Sequence, residues 1–351
     1  MDGEHPALTS PRTSADTGTV TSPVGSPVSP AAQPLSSERA AATGAARQLL
    51  ATVSTVVRGT PRPVELAVTA LLAGGHLLIE DVPGTGKTVL ARTLAKAVAA
   101  DFRRVQATPD LSAGEITGSG VWDGSRFSFV PGPVFAHVVL VDELNRTSPR
   151  TQAALMEAMD EAAVTVDGVR HPLPDPHLLV ATQNPLDQHG TFPLPEGQLD
   201  RFMMATGLGY VDAGAERDLV RDQLVRAPVD DVTPVLDLAG WQALRGHARM
   251  THVAEPVLEH AVAVVRATRE HPALRLGASA RAAVALVRAA QARALLAGRD
   301  FVTPDDTKAL APAVLAHRLV LRSGDPRVGG ATAAEVVADV LARVPVPLRS
   351  R

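Results

Sequence analysis

Cysteine is absent from this 351-residue chain, which excludes disulfide bridges, thiol nucleophiles and cysteine-ligated zinc. Aromatic residues are scarce as well, at 3% of the chain, so its core must be built from alanine, valine and leucine. Few aromatic side chains also leave few platforms on which single-stranded nucleic-acid bases could stack. The formal net charge of −3 provides no overall attraction to DNA or RNA. From this composition we expect no nucleic-acid partner.

Long apolar runs are missing too. No stretch approaches the roughly 20 residues that a membrane-spanning helix needs. The first residues, Met1–His5, have neither the basic start nor the apolar stretch of a secretory signal. We therefore expect no membrane span and a cytoplasmic location. What is present, 45% apolar and 20% charged residues, is typical of a globular protein.

The pattern along the chain predicts three regions. Residues 1–36 are rich in serine, threonine and proline and hold too few apolar side chains to offset the entropy of ordering, which predicts a disordered tail. Between 37 and 212, short apolar runs alternate with helical stretches, which predicts an α/β fold with a parallel sheet. From 213 to 345 the pattern is helical and predicts a separate domain. The predicted strands are 77–80, 102–106, 138–142, 177–182 and 203–208.

A glycine-bearing loop joins the first predicted strand to a helix. Gly84 and Gly86 can adopt the dihedrals that turn successive backbone N–H groups inward, and the helix that follows presents its N-terminus to an anion. Lys87 can then reach the terminal phosphates of a nucleotide, and the Thr88 hydroxyl can ligate Mg²⁺. Asp81 stands where the usual phosphate-loop pattern has its first glycine. The predicted phosphate-binding residues are Pro83, Gly84, Thr85, Gly86, Lys87 and Thr88.

Acidic and amide side chains follow two further predicted strands. Asp142 and Glu143 end the strand 138–142, an arrangement that gives one carboxylate to Mg²⁺ and the next to polarising the attacking water. A kinase needs no water-activating carboxylate, so the pair favours hydrolysis. Asn184 follows the strand 177–182 and could hold that water or sense the γ-phosphate.

Two arginines are weaker candidates on physical grounds alone. Arg201 could be an ordinary surface residue. Arg281 lies in the first turn of a helix that Ser279 is expected to cap, and a cation there opposes the helix dipole. Residues that break a local rule often serve a site, so Arg281 is a candidate for contacting a nucleotide phosphate. The acidic run of Glu157, Asp160 and Glu161 is interpreted as a solvated helix face.

Taken together, these segments resemble the MoxR branch of the AAA+ ATPases over roughly residues 56–321. The most specific stretches are FVPGPVFA (129–136), DELNRTSPRTQAALMEAMDE (142–161), ATQNPLDQHGTFPLPEGQLDRF (181–202) and GRDFVTPDDTKALAPAVLAHRLVL (298–321). The resemblance implies an αβα nucleotide-binding domain followed by a small all-α lid, with ATP and Mg²⁺ as cofactors. It further implies a homo-oligomeric ring, often hexameric, and a chaperone that acts on a client protein with a partner bearing a von Willebrand factor A domain.

The resemblance implies the same roles for the phosphate-loop and strand-end residues, and it adds three. Asn184 matches the first sensor, Arg201 the finger that reaches into a neighbouring subunit's site, and Arg281 the sensor of the lid. The segment Ala163–Leu173, with Asp167-Gly168 as a turn signal, matches a hairpin that precedes the first sensor.

Two other functions remain open at this point. A P-loop kinase for a small molecule would need a substrate-binding lid beside the phosphate loop and would have no use for Arg201 in a neighbouring site. A nucleic-acid motor or loader would show basic loops facing a pore, and the predicted hairpin offers only Arg170 and His171.

Overall fold

The computed structural model describes residues 37–122, 124–184, 190–225, 227–322 and 332–347. The predicted tail, residues 1–36, lies outside the described residues, and the domain bounds drawn from the sequence stay predictions. The α-helices are α1 Ser37–Val56, α2 Pro61–Ala73, α3 Lys87–Ala97, α4 Ala113–Thr117, α5 Pro149–Glu161, α6 Glu196–Leu199, α7 Ala213–Val225, α8 Leu238–Arg249, α9 Glu255–Arg269, α10 Ala280–Ala297, α11 Pro304–Leu315 and α12 Ala333–Arg343. The strands are β1 Leu77–Glu80, β2 Phe102–Gln106, β3 Gly118–Trp122, β4 Phe127–Pro131, β5 Val138–Asp142, β6 Ala163–Val166, β7 Val169–Pro172, β8 Leu178–Gln183, β9 Met204–Thr206, β10 Leu274–Leu276 and β11 Val320–Leu321.

A parallel sheet of five strands, in the order β2-β5-β8-β1-β9, forms the centre of the fold. These are the five predicted strands, and the α/β prediction is confirmed. Strand β5 is buried along its whole length because helices cover both faces of the sheet. The carboxyl ends of β1, β5 and β8 meet at one edge, which is where open α/β sheets bind their ligands.

The two faces of the sheet have separate cores. On one face, α1, α2 and α3 pack together with the lid helices α8 to α11, so one continuous core joins the lid to the sheet. Small alanine side chains on α10, such as Ala282, Ala289 and Ala290, let the neighbouring helices approach closely. On the other face a smaller core lies under α4, α5 and the hairpin β6–β7.

The sequence predicted one of the two hairpins beside the sheet and not the other. The hairpin β6–β7 is confirmed, and its turn residues Asp167 and Gly168 have φ of 50° and 78°, as the Asp-Gly signal requires. The hairpin β3–β4 was not predicted. Two glycines interrupt β3, and the exposed Trp122 and Phe127 disturb the alternation that marks a half-buried strand.

The lid is helical, as predicted, and it also contains a short antiparallel pair, β10–β11. The helical pattern over residues 213–345 did not predict this pair, because strands of two or three residues leave no periodic pattern. Within the described part of the chain, no helix is both long and apolar enough to cross a bilayer.

Candidate functional site

A polar cleft of about 430 Å³ lies at the carboxyl edge of β1, β5 and β8. It unites the residues that the sequence predicted on three separate segments. These cleft residues are Pro83, Gly84, Gly86, Lys87, Thr88, Asp142, Glu143 and Asn184. The remaining predicted residue of the loop, Thr85, lines the adjoining cavity described below.

The phosphate loop depends on two left-handed glycines. Gly84 and Gly86 have φ of 84° and 92°, and Gly86 directly precedes the first turn of α3. A Cβ atom at either position would meet nothing within 4 Å, so glycine is required for the backbone conformation and not for space. The loop therefore lies against the N-terminus of α3, where backbone N–H groups and the helix dipole favour an anion.

Lys87 folds back over this loop. Its Nζ donates hydrogen bonds to the backbone carbonyls of Asp81, at 3.1 Å, and Val82, at 2.6 Å. The ammonium group is thus held at the mouth of the loop by two neutral acceptors. A phosphate is a stronger, charged acceptor and can replace them.

Asp81, the departure from the usual loop pattern, connects the loop to the chain after β9. Its carboxylate accepts hydrogen bonds from the N–H groups of Leu208 and Gly209, both at 2.8 Å, and from that of Val82 at 2.8 Å. Burial would raise the pKa of Asp81, but these N–H donors, Gly209 first, hold it below its ordinary value. A charged, 8% exposed carboxylate therefore fixes the position of the loop, which a glycine could not do.

Asp142 is held from two sides. The Thr182 hydroxyl donates to Asp142 Oδ1 at 2.6 Å, and Arg104 Nη2 lies 2.6 Å from Oδ2. Thr182 also accepts a hydrogen bond from the Glu143 N–H at 2.9 Å. One threonine on β8 thus orients both acids at the end of β5.

Glu143 has a strained backbone, with φ 60° and ψ 46°, a conformation that residues with side chains rarely adopt. Its carboxylate accepts a hydrogen bond from Gln106 Nε2 at 3.1 Å and pairs with Arg146 Nε at 3.0 Å. Arg104 and Gln106 were missed by the sequence reasoning. Their signal was two polar side chains alternating near the carboxyl end of β2, beside the acidic strand.

An apolar cavity of about 330 Å³ adjoins the phosphate loop and includes Thr85 in its lining. Its apolar walls come from α1, α7 and the segments around 210 and 228, which lie far apart in sequence. A purine has the size and apolar faces to fill such a cavity. Gly59 lies behind the wall with φ of 76°, and a Cβ there would come within 2.9 Å of Val211. The apolar residues are Val56, Val57, Val89, Tyr210, Val211, Leu219, Pro228 and Val229.

Arg201 and Arg281 lie together, but outside the cleft. Neither is among the described residues that line the cleft or the adjoining cavity. Both bind Asp160: Arg201 Nε lies 2.5 Å from Oδ2, and Arg281 Nη1 lies 2.8 Å from Oδ1. Asp160 is exposed, as the interpretation of a solvated helix face expected, and in addition each of its carboxylate oxygens accepts a hydrogen bond from a guanidinium.

The segment that carries Arg201 is fixed to the lid. The carboxylate of Asp200 accepts from the Ser279 hydroxyl and from Arg318 Nε, each at 2.9 Å. Arg318 is 4% exposed, and it also donates to the carbonyls of Asp200 and Phe202. Burial lowers the pKa of Arg318, and the Asp200 carboxylate opposes that shift. Ser279 caps α10 as predicted, accepting from the Ala282 N–H.

Comparison with known proteins gives a consistent result. Residues 76–204 match the ATPase family associated with various cellular activities (AAA), and residues 266–340 match the AAA lid domain. The chain is 43% identical over 286 residues to the uncharacterized protein YeaC of Bacillus subtilis, covering 81% of this chain and 89% of YeaC. It is 37% identical to chaperone MoxR1 of Mycobacterium tuberculosis, over 77% of this chain and 74% of MoxR1.

A solved structure from Cytophaga hutchinsonii, assigned as an ATPase, superimposes with a TM-score of 0.82 at 33% identity, covering 89% of this chain and 97% of that one. The phosphate loop, the paired acids at the end of β5 and the helical lid are the parts that such a likeness requires. On the site, the fold and these relatives together, the chain belongs to the MoxR family of AAA+ ATPases.

Proposed function

We propose that this chain binds ATP with Mg²⁺ and hydrolyses it as one subunit of a homo-oligomeric ring that remodels a client protein. One observation carries the proposal. The cleft contains a phosphate loop, a lysine and two acids, whereas Arg201 and Arg281 share Asp160 away from that cleft. Because the nucleotide cleft and these arginines lie apart within one chain, a second copy of the chain can complete the active site by placing its arginines against the bound nucleotide.

Binding uses the loop and the adjoining cavity. The phosphates lie against the N–H groups around Gly84 and Gly86, Lys87 exchanges two backbone carbonyls for phosphate oxygens, and the adenine fills the apolar cavity. Asp81 holds the phosphate loop and the apolar cavity in a fixed relative position. Its carboxylate binds the N–H groups of Leu208 and Gly209, which directly precede Tyr210 and Val211 of the cavity wall.

The donor atoms in the cleft fit Mg²⁺. Thr88 offers a hydroxyl oxygen and Asp142 a carboxylate, the hard oxygen ligands that this ion prefers, and both line the same cleft. When bound, the ion neutralises charge on the phosphate oxygens. The Thr182 hydrogen bond keeps the Asp142 carboxylate oriented for this role.

Hydrolysis needs a base and an oriented water. Glu143 accepts the proton of the attacking water once its carboxylate exchanges Gln106 or Arg146 for that water, and Asn184 helps to position it. Arg201 and Arg281 of the neighbouring subunit stabilise the charge that develops on the γ-phosphate. A carboxylate held at this point favours water as acceptor and argues against the small-molecule kinase.

The chaperone role rests on the relatives, of which one at 37% identity is named chaperone MoxR1. A hexameric ring, a partner with a von Willebrand factor A domain, a cytoplasmic location and the absence of a nucleic-acid partner are parts of the same proposal.

The test is complementation between two inactive variants. Arg201→Ala lacks the finger but keeps a complete cleft, and Glu143→Gln lacks the base but keeps the finger. Each alone should be nearly inactive, since an arginine finger contributes about 10³–10⁵ in turnover. Titrating one into the other at fixed total protein should restore phosphate release.

The matched control is Arg275→Ala, a lid arginine that is 65% exposed and paired with Glu196. It should keep wild-type turnover alone and in mixtures. Native mass spectrometry confirms that mixed assemblies form. A flat titration at the parental baseline in confirmed mixed assemblies would reject action between subunits.

A further inference from the structure

Asp160 breaks a local rule of helix stability. It lies in the last turn of α5, at the negative end of the helix dipole, and that turn contains no basic residue. Arg281, in the first turn of α10, breaks the opposite rule. Each residue is unfavourable for its own helix, and the 2.8 Å pair that they form is what compensates both.

The contacts at Asp160 orient the arginines without covering them. Among the described residues, Arg201 donates from Nε to Asp160 and from Nη1 to the Gly197 carbonyl, the latter at 2.7 Å. Arg281 donates from Nη1 to Asp160. Nη2 of each guanidinium is therefore available to an anion. Two cations on one carboxylate leave a local charge of about +1, and the Arg281 side chain is 48% exposed.

Asp160 is also where α5 meets the lid. Arg281 lies on α10, and the segment bearing Arg201 is tied to the lid through Asp200, Ser279 and Arg318. Asp160 lies on the helix that follows the catalytic acids. Its two hydrogen bonds join α5 to Arg281 of the lid and to Arg201, which lies on the segment tied to the lid.

We propose that Asp160 is a positioning residue that holds Arg201 and Arg281 as one unit, so that both present Nη2 to the same phosphate group of a neighbouring copy's ATP. This inference rests on the proposed function, because it assigns the two arginines to a neighbouring site. Asp160 touches no reacting atom and acts through the two guanidinium groups.

The first test is Asp160→Asn, with Glu161→Gln as the matched control. The asparagine amide keeps one acceptor oxygen and turns an NH₂ group toward the other guanidinium. We expect kcat to fall about 10- to 10²-fold with KM for ATP unchanged, because the arginines lose their alignment while the cleft of the same subunit stays intact. Glu161→Gln removes a carboxylate from the same helix turn, one paired with the exposed Arg170, and should stay within about twofold of wild type.

Two more measurements separate alignment from a general loss of structure. Asp160→Glu keeps the charge and should retain most of the activity, and Glu143→Gln subunits should rescue Asp160→Asn in mixtures as they rescue Arg201→Ala. A local folding defect would not be repaired by a neighbour. A kcat for Asp160→Asn equal to or above wild type would show that Asp160 does not align the arginines, and would overturn the inference.

A double-mutant cycle keeps this inference separate from the proposed function. If Asp160 works through Arg281, the effects of Asp160→Asn and Arg281→Ala on kcat should be strongly non-additive. Additive effects reject the role of Asp160 whatever the Arg201 titration gives. A failed Arg201 titration with a non-additive cycle rejects action between subunits and leaves the coupling of Asp160 to Arg281 standing.

Discussion

The nucleotide cleft and the Asp160 arginine pair are built in different ways. The cleft is shaped by backbone: left-handed Gly84 and Gly86, the strained Glu143 and strand ends held in sheet register. The arginine pair is held mainly by side-chain contacts, with Asp160 for both residues and with the Gly197 carbonyl for Arg201, and Arg201 lies on a segment that is hydrogen-bonded to the lid. The difference indicates that the cleft is preorganised in each chain, whereas the arginines can be repositioned by movement of the lid.

Within the cleft, the largest expected effect is on turnover and tests the chemistry of the site apart from nucleotide binding. Glu143→Gln should lower ATP turnover about 10²–10⁴-fold, because it removes the base and leaves Asp142 and the loop in place. Phosphate release and the affinity for a fluorescent ATP analogue are measured together. Unchanged turnover would reject Glu143 as the base.

The second prediction tests binding itself. Lys87→Ala should weaken ATP affinity about 10²–10³-fold, since losing one partner of a desolvated charge pair costs about 2–5 kcal/mol. Lys96→Ala is the control, a lysine on the same helix whose Nζ contacts Asp230 instead. Calorimetry on both variants decides, and an affinity for Lys87→Ala within a few-fold of wild type contradicts the assignment.

The third prediction tests the arginine pair held by Asp160. Arg281→Ala should reduce kcat about 10²-fold, the usual loss for one donor to developing charge, with ATP affinity unchanged. A residue that served its own cleft would lower affinity as well. Comparing KM and kcat with those of Arg275→Ala therefore distinguishes a neighbouring site from the subunit's own.

The smallest effect concerns the connection between loop and cavity. Asp81→Asn should lower the free energy of unfolding by about 1–3 kcal/mol at neutral pH, because a neutral amide is a poorer acceptor for the three N–H groups that Asp81 binds. The exposed Asp305→Asn serves as the control. Chemical denaturation of all three proteins provides the comparison.

Comparison of the wild type with Asp81→Asn also predicts how stability depends on pH. The folded-state pKa of Asp81 lies below its unfolded value, so its carboxylate stabilises the fold above the unfolded pKa of about 3.9. That stabilisation is lost as pH falls through the folded-state pKa. The stability difference between wild type and Asp81→Asn should therefore be constant near neutral pH and shrink below about pH 4. A difference independent of pH down to pH 3 would contradict a charged Asp81.

Most of the sheet and the cleft could be predicted because their signals are local. Strand β5 is a buried apolar run ending in two acids, and the loop at Gly84 has its strand before it and its helix after it. The arginine contacts of Asp160 were not predicted because its partners lie 41 and 121 residues away, which no local pattern reveals. The apolar cavity beside the phosphate loop was not predicted for the same reason, since its walls come from α1, α7 and the chain around residue 210. The short β10–β11 pair left no pattern to find.

Helix α5 has a consequence beyond the contacts at its ends. It starts at Pro149, with Ser148 as its N-cap, shortly after Glu143, and the turn between Glu143 and the helix is fixed by the hydrogen bond from Gln152 Nε2 to the Thr147 carbonyl. Its 13 residues span about 20 Å to Asp160. Helix α5 thus has the proposed base Glu143 just before its first turn and Asp160, which holds Arg201 and Arg281, in its last turn. In the ring proposed above, helix α5 would therefore connect the nucleotide of its own subunit to the arginines that serve the neighbouring one, so that a change at one nucleotide would pass to the next subunit in one direction only.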